Sequence, residues 1–159
     1  MNIKENFYSL FKTGFLIFIT LFIAIIGLPC LFLPRKYTAM LIHNWSKIML
    51  ILFKKLDNLD WEVTGEENIP SGPFIIASKH QSIWDTVFFT AFFNDAAMVL
   101  KKIIIFIPFY GWHAIKAKMI WLDRGAHSKA SRRLIKQGEE CSTNNRPIII
   151  FPEGTRSSV

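Results

Sequence analysis

Residues 73–85 read Pro-Phe-Ile-Ile-Ala-Ser-Lys-His-Gln-Ser-Ile-Trp-Asp, and this stretch decides the fold. The continuous apolar run Pro73–Ser78 predicts a short buried strand. Ser82 then predicts the N-cap of a helix, and Asp85 three residues later is placed to complete a capping box. A buried strand that leads through a polar turn into a helix is typical of an α/β fold, and here the turn carries His80.

The same alternation of strand and helix continues along the chain. Short apolar runs bounded by turn residues predict strands, and longer segments with helical patterning predict helices. The predicted strands are Trp61–Gly65, Ala96–Leu100, Met119–Leu122 and Pro147–Phe151, and the predicted helices are Ile83–Phe93 and Ser128–Cys141. We therefore expect an α/β sheet flanked by helices. Such sheets bind ligands outside the carboxyl ends of their strands, where polar residues become candidate site residues.

Three polar groups follow predicted strands: His80 with Asp85, Asp123 with Arg124, and Glu153 with Arg156. A histidine at a strand end and an aspartate in the first turn of the next helix can approach each other. The carboxylate would keep one imidazole nitrogen protonated and leave the other free to act as a base. An aspartate at a helix N-terminus is also electrostatically favoured, so Asp85 could instead be a capping residue alone.

The sequence offers no clear nucleophile beside this histidine. Ser82 is close to it but lacks the sharp, Gly-flanked elbow of a serine hydrolase. A catalytic His80 would therefore activate a substrate hydroxyl directly. This favours acyl transfer to an alcohol over hydrolysis through a covalent intermediate.

The motif Phe-Pro-Glu-Gly-Thr-Arg-Ser at residues 151–157 predicts an anion-binding site. Gly154 permits a tight turn, Thr155 offers a hydroxyl, and Arg156 offers a planar fork of donors that suits phosphate. Glu153 could hold the arginine in place or bind a substrate hydroxyl.

The net charge of +7 is concentrated in residues 101–136, which hold nine of the 19 Lys and Arg residues but one of the 12 acids. Such a segment attracts anionic partners. Lipid phosphate fits better than nucleic acid, because no nucleic-acid motif is present and an apolar segment lies upstream. Within this segment Arg124 is a second candidate for binding phosphate. The alternative for Arg124 and Arg156 is a role in surface salt bridges on a solvated face.

Residues 15–33 contain no charged residue and are just long enough to cross a bilayer, which takes roughly 20 apolar residues. Basic residues precede the run as in a signal peptide, but the run is long for one and no small-residue cleavage site ends it. Residues 37–53 mix apolar and polar side chains, which predicts an amphipathic helix at the membrane interface. We expect membrane-associated helices in residues 1–56 and a folded domain in residues 57–159. Whether the first helix spans the bilayer or dips into one leaflet stays open.

Four motifs occur in order behind the predicted membrane helices. They are His80-Gln-Ser-Ile-Trp-Asp85, Lys101-Lys102 with Ile107-Pro-Phe-Tyr-Gly-Trp112, Trp121-Leu-Asp-Arg124, and Phe151-Pro-Glu-Gly-Thr-Arg-Ser157. In these motifs the chain resembles the 1-acylglycerol-3-phosphate acyltransferases and their wider glycerolipid acyltransferase relatives. The resemblance covers roughly residues 15–159.

The resemblance implies a glycerolipid acyltransferase-like sheet in which His80 is the general base and Asp85 orients it. The activated sn-2 hydroxyl of lysophosphatidic acid would attack the thioester of acyl-CoA or acyl-carrier protein and give phosphatidic acid. The residues that match acceptor-binding motifs are Arg124, Glu153, Gly154, Thr155 and Arg156. No metal or prosthetic group is implied, and the expected location is the inner or cytoplasmic membrane with the domain on the cytoplasmic side.

The chain departs from the family pattern in two motifs and in its length. Ile103-Ile104 stands where Glu-Leu is common, and Lys118 stands where a glycine commonly precedes the strand that leads into Asp-Arg. Family members usually continue well beyond the fourth motif, so the resemblance implies a C-terminally truncated member. Two alternatives follow, namely a catalytically inactive membrane-associated remnant and an acyltransferase that acts on another lysophospholipid.

Overall fold

A computed structural model describes residues 3–123, 125 and 127–155 of the chain. The helices are α1 (Ile3–Ile26), α2 (Arg35–Asp57), α3 (Ile83–Phe92), α4 (Tyr110–Lys116) and α5 (His127–Thr143). The strands are β1 (Ile75–Ala77), β2 (Ala97–Lys101), β3 (Ile120–Leu122) and β4 (Ile148–Ile150). Short 3-10 helices occupy Leu28–Leu31, Glu66–Asn68 and Lys102–Phe106.

The four strands form one parallel sheet in the order β1-β4-β2-β3. Ile149 of β4 pairs with Ile76 of β1 on one side and with Met98 of β2 on the other. Because parallel strands need crossover connections, helices cover the sheet and its inner strands become apolar runs. The α/β fold expected from the sequence is confirmed.

The two faces of the sheet have different partners. One face carries Met98 and Ile149, which form a buried cluster with Ala114 of α4, with Ala117 directly after it, and with aromatic residues of α3 and its end. The other face is covered by α5, whose Leu134 and Cys141 pack with the residues Ala97, Ile120 and Ile148 of β2, β3 and β4. Helix α5 therefore lies on the opposite side of the sheet from α3 and α4.

The two N-terminal helices form an antiparallel hairpin. Near its open end Lys12 forms an ion pair with Asp57. Further along the hairpin the Trp45 Nε1–H donates to Thr20 Oγ1 at 3.2 Å. Gly27 lies at the turn, where an added Cβ would come within 2.2 Å of the end of the Leu41 side chain, so any larger residue would have to displace Leu41.

Buried polar contacts attach this hairpin to the rest of the fold. Ser46 Oγ of α2 lies 2.7 Å from Thr90 Oγ1 of α3, and His43 Nδ1 of α2 donates to the Thr90 carbonyl at 3.1 Å. On α4, the buried His113 Nε2–H donates to the Ala24 carbonyl of α1 at 2.9 Å. Both hairpin helices are thus fixed to helices that cover the sheet.

Two expectations about strands are wrong. Trp61–Gly65 forms no strand, because Trp61 packs against Trp84 and Phe88 of α3 instead of extending the sheet. The strand predicted at Pro73–Ser78 is present as β1, but it is an edge strand rather than a buried one. Its Ile75 side chain is exposed, since α5 packs over the other end of the sheet.

Arg146 joins the amino-terminal ends of three strands from a position that is 4 % exposed. Its guanidinium donates to the carbonyls of Asp95, Ala117 and Lys118 at 3.0 to 3.1 Å. These carbonyls precede β2 and β3, and Arg146 itself precedes β4. The Asp95 carboxylate pairs with Arg146 at 3.2 Å and with Arg35 of α2 at 2.5 Å. One aspartate therefore balances two arginines.

We expect Arg146→Met to lower the free energy of unfolding by about 3 kcal/mol, because it removes a buried guanidinium and leaves the carbonyls of Asp95, Ala117 and Lys118 without this donor. Arg35→Met is the matched control, since it removes the other arginine from the same carboxylate at a more exposed position. Its loss should be about 1 kcal/mol. Urea denaturation in detergent checks both values, and equal losses would contradict the role given to Arg146.

Candidate active site

The site is built where β1 ends and α3 begins. His80 follows β1, and Asp85 lies in the first turn of α3. His80 Nδ1 and Asp85 Oδ2 are 3.1 Å apart, and both side chains are less than one-fifth exposed. The structure therefore brings together the histidine and carboxylate that the sequence predicts to meet.

The Asp85 carboxylate has further donors. The backbone N–H groups of Gln81 and Ser82 donate to the same Oδ2 at 2.7 and 2.8 Å. In return the Ser82 hydroxyl accepts a hydrogen bond from the Trp84 N–H at 3.1 Å, which completes the predicted capping arrangement. Asp85 is thus a capping residue and a partner of His80 at the same time, so the two alternatives do not exclude each other.

The pKa of Asp85 is lowered from its ordinary value. Burial by itself would raise this pKa, but the N–H donors of Ser82 and Gln81 and the contact with His80 together outweigh it. An ionised carboxylate can only accept hydrogen bonds, so His80 Nδ1 must carry the proton that it donates. In the neutral imidazole, Nε2 is then the nitrogen with a free lone pair.

The aromatic ring that supports His80 was not predicted from the sequence. The imidazole stacks on Phe151 with ring centroids 4.3 Å apart and an interplanar angle of 22°. Phe151 follows β4, which is the direct neighbour of β1, and the Ser78 N–H donates to the Ile150 carbonyl at 3.0 Å beside it. Only the order of the strands could have revealed this contact.

The fourth motif forms a tight turn next to His80. The Gly154 N–H donates to the Phe151 carbonyl at 2.9 Å, and Gly154 has a φ of +68°, a left-handed conformation that favours glycine. The side chains of Glu153 and Thr155 are exposed on this turn. Arg156 lies outside the described residues.

The third motif lies at the far side of the sheet. Asp123 follows β3, which is separated from β1 by two strands, or roughly 14 Å at the usual strand spacing. Its carboxylate pairs with Lys102 Nζ at 2.8 Å and accepts from the Gly125 N–H. Arg124 lies outside the described residues. His80, Asp123 and Glu153 all follow strands of one parallel sheet and so lie at the same edge of it. Asp123 is nevertheless not a neighbour of His80.

The sequence that forms this site matches a known protein family. A family model described as Acyltransferase matches residues 60–159. The chain belongs to this family. The matched region begins before β1 and includes both His80 and the 151–155 turn.

Curated relatives of this acyltransferase chain agree with the family match. It is 41% identical over 118 residues to a 1-acyl-sn-glycerol-3-phosphate acyltransferase of Pseudomonas aeruginosa, an alignment that covers 74% of this chain and 46% of the relative. It is 34% identical over 126 residues to the enzyme of that name from Saccharomyces cerevisiae, covering 79% of this chain and 39% of the relative. The chain thus spans about half the length of the curated relatives that it matches.

A solved structure supports the same assignment. The crystal structure of the 1-acyl-sn-glycerophosphate (LPA) acyltransferase PlsC from Thermotoga maritima superposes with a TM-score of 0.71 at 30% identity. The match covers 93% of this chain and 61% of that chain. The resemblance predicted from the four motifs is therefore confirmed, and with it the glycerolipid acyltransferase-like α/β fold.

Asp85→Asn should lower the free energy of unfolding near neutral pH by about 1 to 2 kcal/mol, because it removes the charge that the N–H donors and His80 stabilise. The folded pKa of Asp85 is lowered from the ordinary 3.8, so its stabilisation is complete above that pH and is lost as the pH falls through the folded value. Urea denaturation of wild type and variant between pH 3 and 7 checks this.

Asp60→Asn is the control for this pH series. Asp60 is likewise paired with a basic side chain, that of Lys54, but the Asp60 side chain is mostly exposed. Its substitution should change stability little at any pH. A gap between wild type and Asp85→Asn that does not shrink on acidification would contradict the ionised, hydrogen-bonded state of Asp85.

Proposed function

We propose that this chain carries the acceptor-activating site of a 1-acylglycerol-3-phosphate O-acyltransferase. The enzyme would transfer an acyl group from acyl-CoA or acyl-carrier protein to the sn-2 hydroxyl of lysophosphatidic acid and form phosphatidic acid for phospholipid synthesis. The observation that carries the proposal is the 3.1 Å contact between His80 and Asp85 at the carboxyl end of a parallel strand. The names of its relatives support the choice of acceptor.

In the proposed reaction His80 is the general base. Its Nε2 takes the proton of the acceptor hydroxyl while the hydroxyl oxygen attacks the thioester carbonyl carbon. The C–O ester bond forms, the C–S bond breaks, and the departing thiolate receives the proton from His80. Asp85 stays ionised, holds Nδ1 as the donor and stabilises the imidazolium that forms during the attack.

The contacts of Ser82 support direct transfer without a covalent enzyme intermediate. Its hydroxyl accepts from the Trp84 N–H and lies 3.4 Å from Asp85 Oδ1, so it is engaged in capping α3. His80 instead contacts Asp85 through Nδ1 and leaves Nε2 for a substrate hydroxyl. This arrangement suits an external alcohol as the nucleophile.

We assign acceptor binding to the turn after β4. Glu153, Gly154 and Thr155 lie directly beyond Phe151, which stacks on His80, so a substrate bound there would lie beside the base. Arg156 continues this motif and is proposed to bind the acceptor phosphate, with Arg124 as a second phosphate ligand. The roles of these five residues come from the motifs and from the order of the strands.

One described helix, Asn6–Ile26, is long and apolar enough to cross a membrane. We propose that the α1–α2 hairpin nevertheless lies in one leaflet. The Tyr8 hydroxyl donates to the Leu56 carbonyl of α2, and the Ala24 carbonyl accepts from His113 of α4. Both ends of α1, 16 residues or about 24 Å apart, are therefore tied to the end of α2 that leads into the domain and to α4, which packs on the sheet, so the hairpin lies along the domain.

The proposed boundary between membrane helices (1–56) and catalytic domain (57–159) is consistent with this arrangement, although the two parts pack together through α2 and α3. A cytoplasmic orientation follows from the intracellular supply of thioesters. The domain would then lie on the cytoplasmic face of the inner membrane.

His80→Ala should lower the rate of phosphatidic acid formation by about 10²- to 10⁴-fold, because the base is lost. Ser82→Ala is the matched variant: it removes one cap at a cost of about 1 kcal/mol in stability and should keep most of the activity at low temperature. Both are measured on purified chain in lipid, with acyl-CoA or acyl-carrier protein and lysophosphatidic acid, after circular dichroism has shown that they fold.

Three results would overturn this proposal or narrow it. Complete loss of activity in a folded Ser82→Ala would indicate a serine nucleophile. A folded wild-type chain without any product would favour the catalytically inactive remnant. Faster acylation of another lysophospholipid would change the acceptor and leave the role of His80 intact.

Arg156→Ala should raise the KM for lysophosphatidic acid by on the order of tenfold, since a charge-assisted hydrogen bond to phosphate is lost. The KM for the acyl donor should change little. Arg132→Ala on the exposed surface of α5 is the control and should leave both constants unchanged. Equal effects of the two substitutions would mean that general positive charge, and not a phosphate contact, is responsible.

A further inference from the structure

A second apolar surface lies outside the N-terminal hairpin. It follows β2 directly and includes the 3-10 helix Lys102–Phe106 and helix α4. Five of its large apolar side chains are exposed, with Ile103 at 69% and Phe106 at 66%. We call this the 103–115 patch, and its exposed members are Ile103, Phe106, Ile107, Trp112 and Ile115.

The 103–115 patch is preformed and not a loose loop. An added Cβ at Gly111 would lie 2.1 Å from the Ile105 carbonyl oxygen, so the start of α4 is packed directly on the 3-10 helix. Phe109 and Trp112 contact each other at 5.2 Å between ring centroids. An exposed, rigid cluster of large apolar side chains marks an interaction site more often than a neutral surface.

This patch is continuous with the turn of the α1–α2 hairpin. His113 of α4 donates to the Ala24 carbonyl, which lies two residues before the end of α1. Ile115 and Arg35, the first residue of α2, line one cavity of about 170 Å³. In the turn between α1 and α2, the Phe32 side chain is 90% exposed. The exposed side chains of the hairpin turn and of α4 therefore lie on neighbouring elements.

The charges around the patch select its partner. Lys101 lies two residues before its first exposed residue, and Lys116 ends α4, while the intervening Lys102 is paired with Asp123. Apolar side chains flanked by lysines suit the boundary of a bilayer, where the chains enter the hydrocarbon and the ammonium groups meet anionic headgroups. A protein partner would need a matching apolar groove, whereas the membrane already lies against the adjoining hairpin.

We propose that the 103–115 patch inserts into the same leaflet as the α1–α2 hairpin, so that the domain contacts the membrane at two places. Because the patch begins at the carboxyl end of β2, it turns the edge of the sheet that carries His80 toward the headgroups. The membrane contact stands independently of the enzymatic activity. Its consequence for access of lipid acceptors rests on the proposed function.

Trp112 reports on this contact directly. The chain and its Trp112→Phe variant are bound to vesicles of phosphatidylcholine and phosphatidylglycerol, with and without phosphatidylcholine brominated near the headgroup end of its chains. The difference between the two proteins isolates the emission of Trp112. We expect brominated lipid to quench at least half of this emission and Ile103→Glu to abolish most of the quenching.

Ile135→Glu is the matched control. Ile135 is 61% exposed, which is close to the 69% of Ile103, but it lies on α5 at the opposite face of the sheet. Its substitution should leave the quenching of Trp112 unchanged. Absence of quenching in the wild type, or equal effects of the two glutamates, would overturn the proposal. If Trp112 becomes buried in the absence of lipid as the protein concentration rises, a second copy of the chain covers the patch. That result would also overturn the proposal.

A rate measurement tests the consequence for the acceptor. Ile103→Glu should lower acylation of long-chain lysophosphatidic acid in vesicles at least tenfold but leave turnover of a short-chain, water-soluble acceptor unchanged. Equal losses with both acceptors would mean that Ile103 affects the site and not membrane contact. If the wild type acylates neither acceptor, the proposed function fails, and the quenching of Trp112 still decides whether the patch enters the leaflet.

Discussion

Parallel pairing of β1 and β4 is the constraint on which the rest of this structure depends. The partners Ile76 and Ile149 are far apart in sequence, and Ile149 also pairs with β2, so the sheet closes only when the last strand enters between two earlier ones. Parallel strands require crossover helices and place all their carboxyl ends at one edge. The pairing therefore fixes which side chains surround His80, and it brings the turn after β4 to the histidine.

Asp85 shows how closely the local fold and the site are connected. Its carboxylate accepts from the N–H groups that begin α3 and from His80. The interaction that starts the helix also keeps the carboxylate ionised and orients the imidazole. Because both tasks use the same oxygen atom, Asp85 Oδ2, a substitution of Asp85 that weakens the cap also disturbs the histidine.

The N-terminal hairpin is joined to the domain through buried polar pairs as well as apolar packing. Ser46 contacts Thr90, and His113 contacts the Ala24 carbonyl. Buried polar groups are costly unless paired, so these contacts favour one arrangement of the hairpin over others that would bury a similar apolar area. The helices of the hairpin and the sheet edge that carries the site are therefore held in a fixed relation, and the 103–115 patch extends the exposed apolar surface toward that edge.

The sequence by itself determined what depends on neighbouring residues: the alternation of strands and helices, the cap of α3, and the meeting of His80 with Asp85 within one turn. Its motifs also identified the family. Tertiary structure decided that Trp61 packs on a helix instead of forming a strand, that Phe151 supports the histidine, and that Arg146 joins three strand ends. Hydrophobic period and capping act over a few residues and can be read along the chain. Strand order and burial depend on contacts between residues that are distant in sequence, and a single sequence gives no measure of those distances.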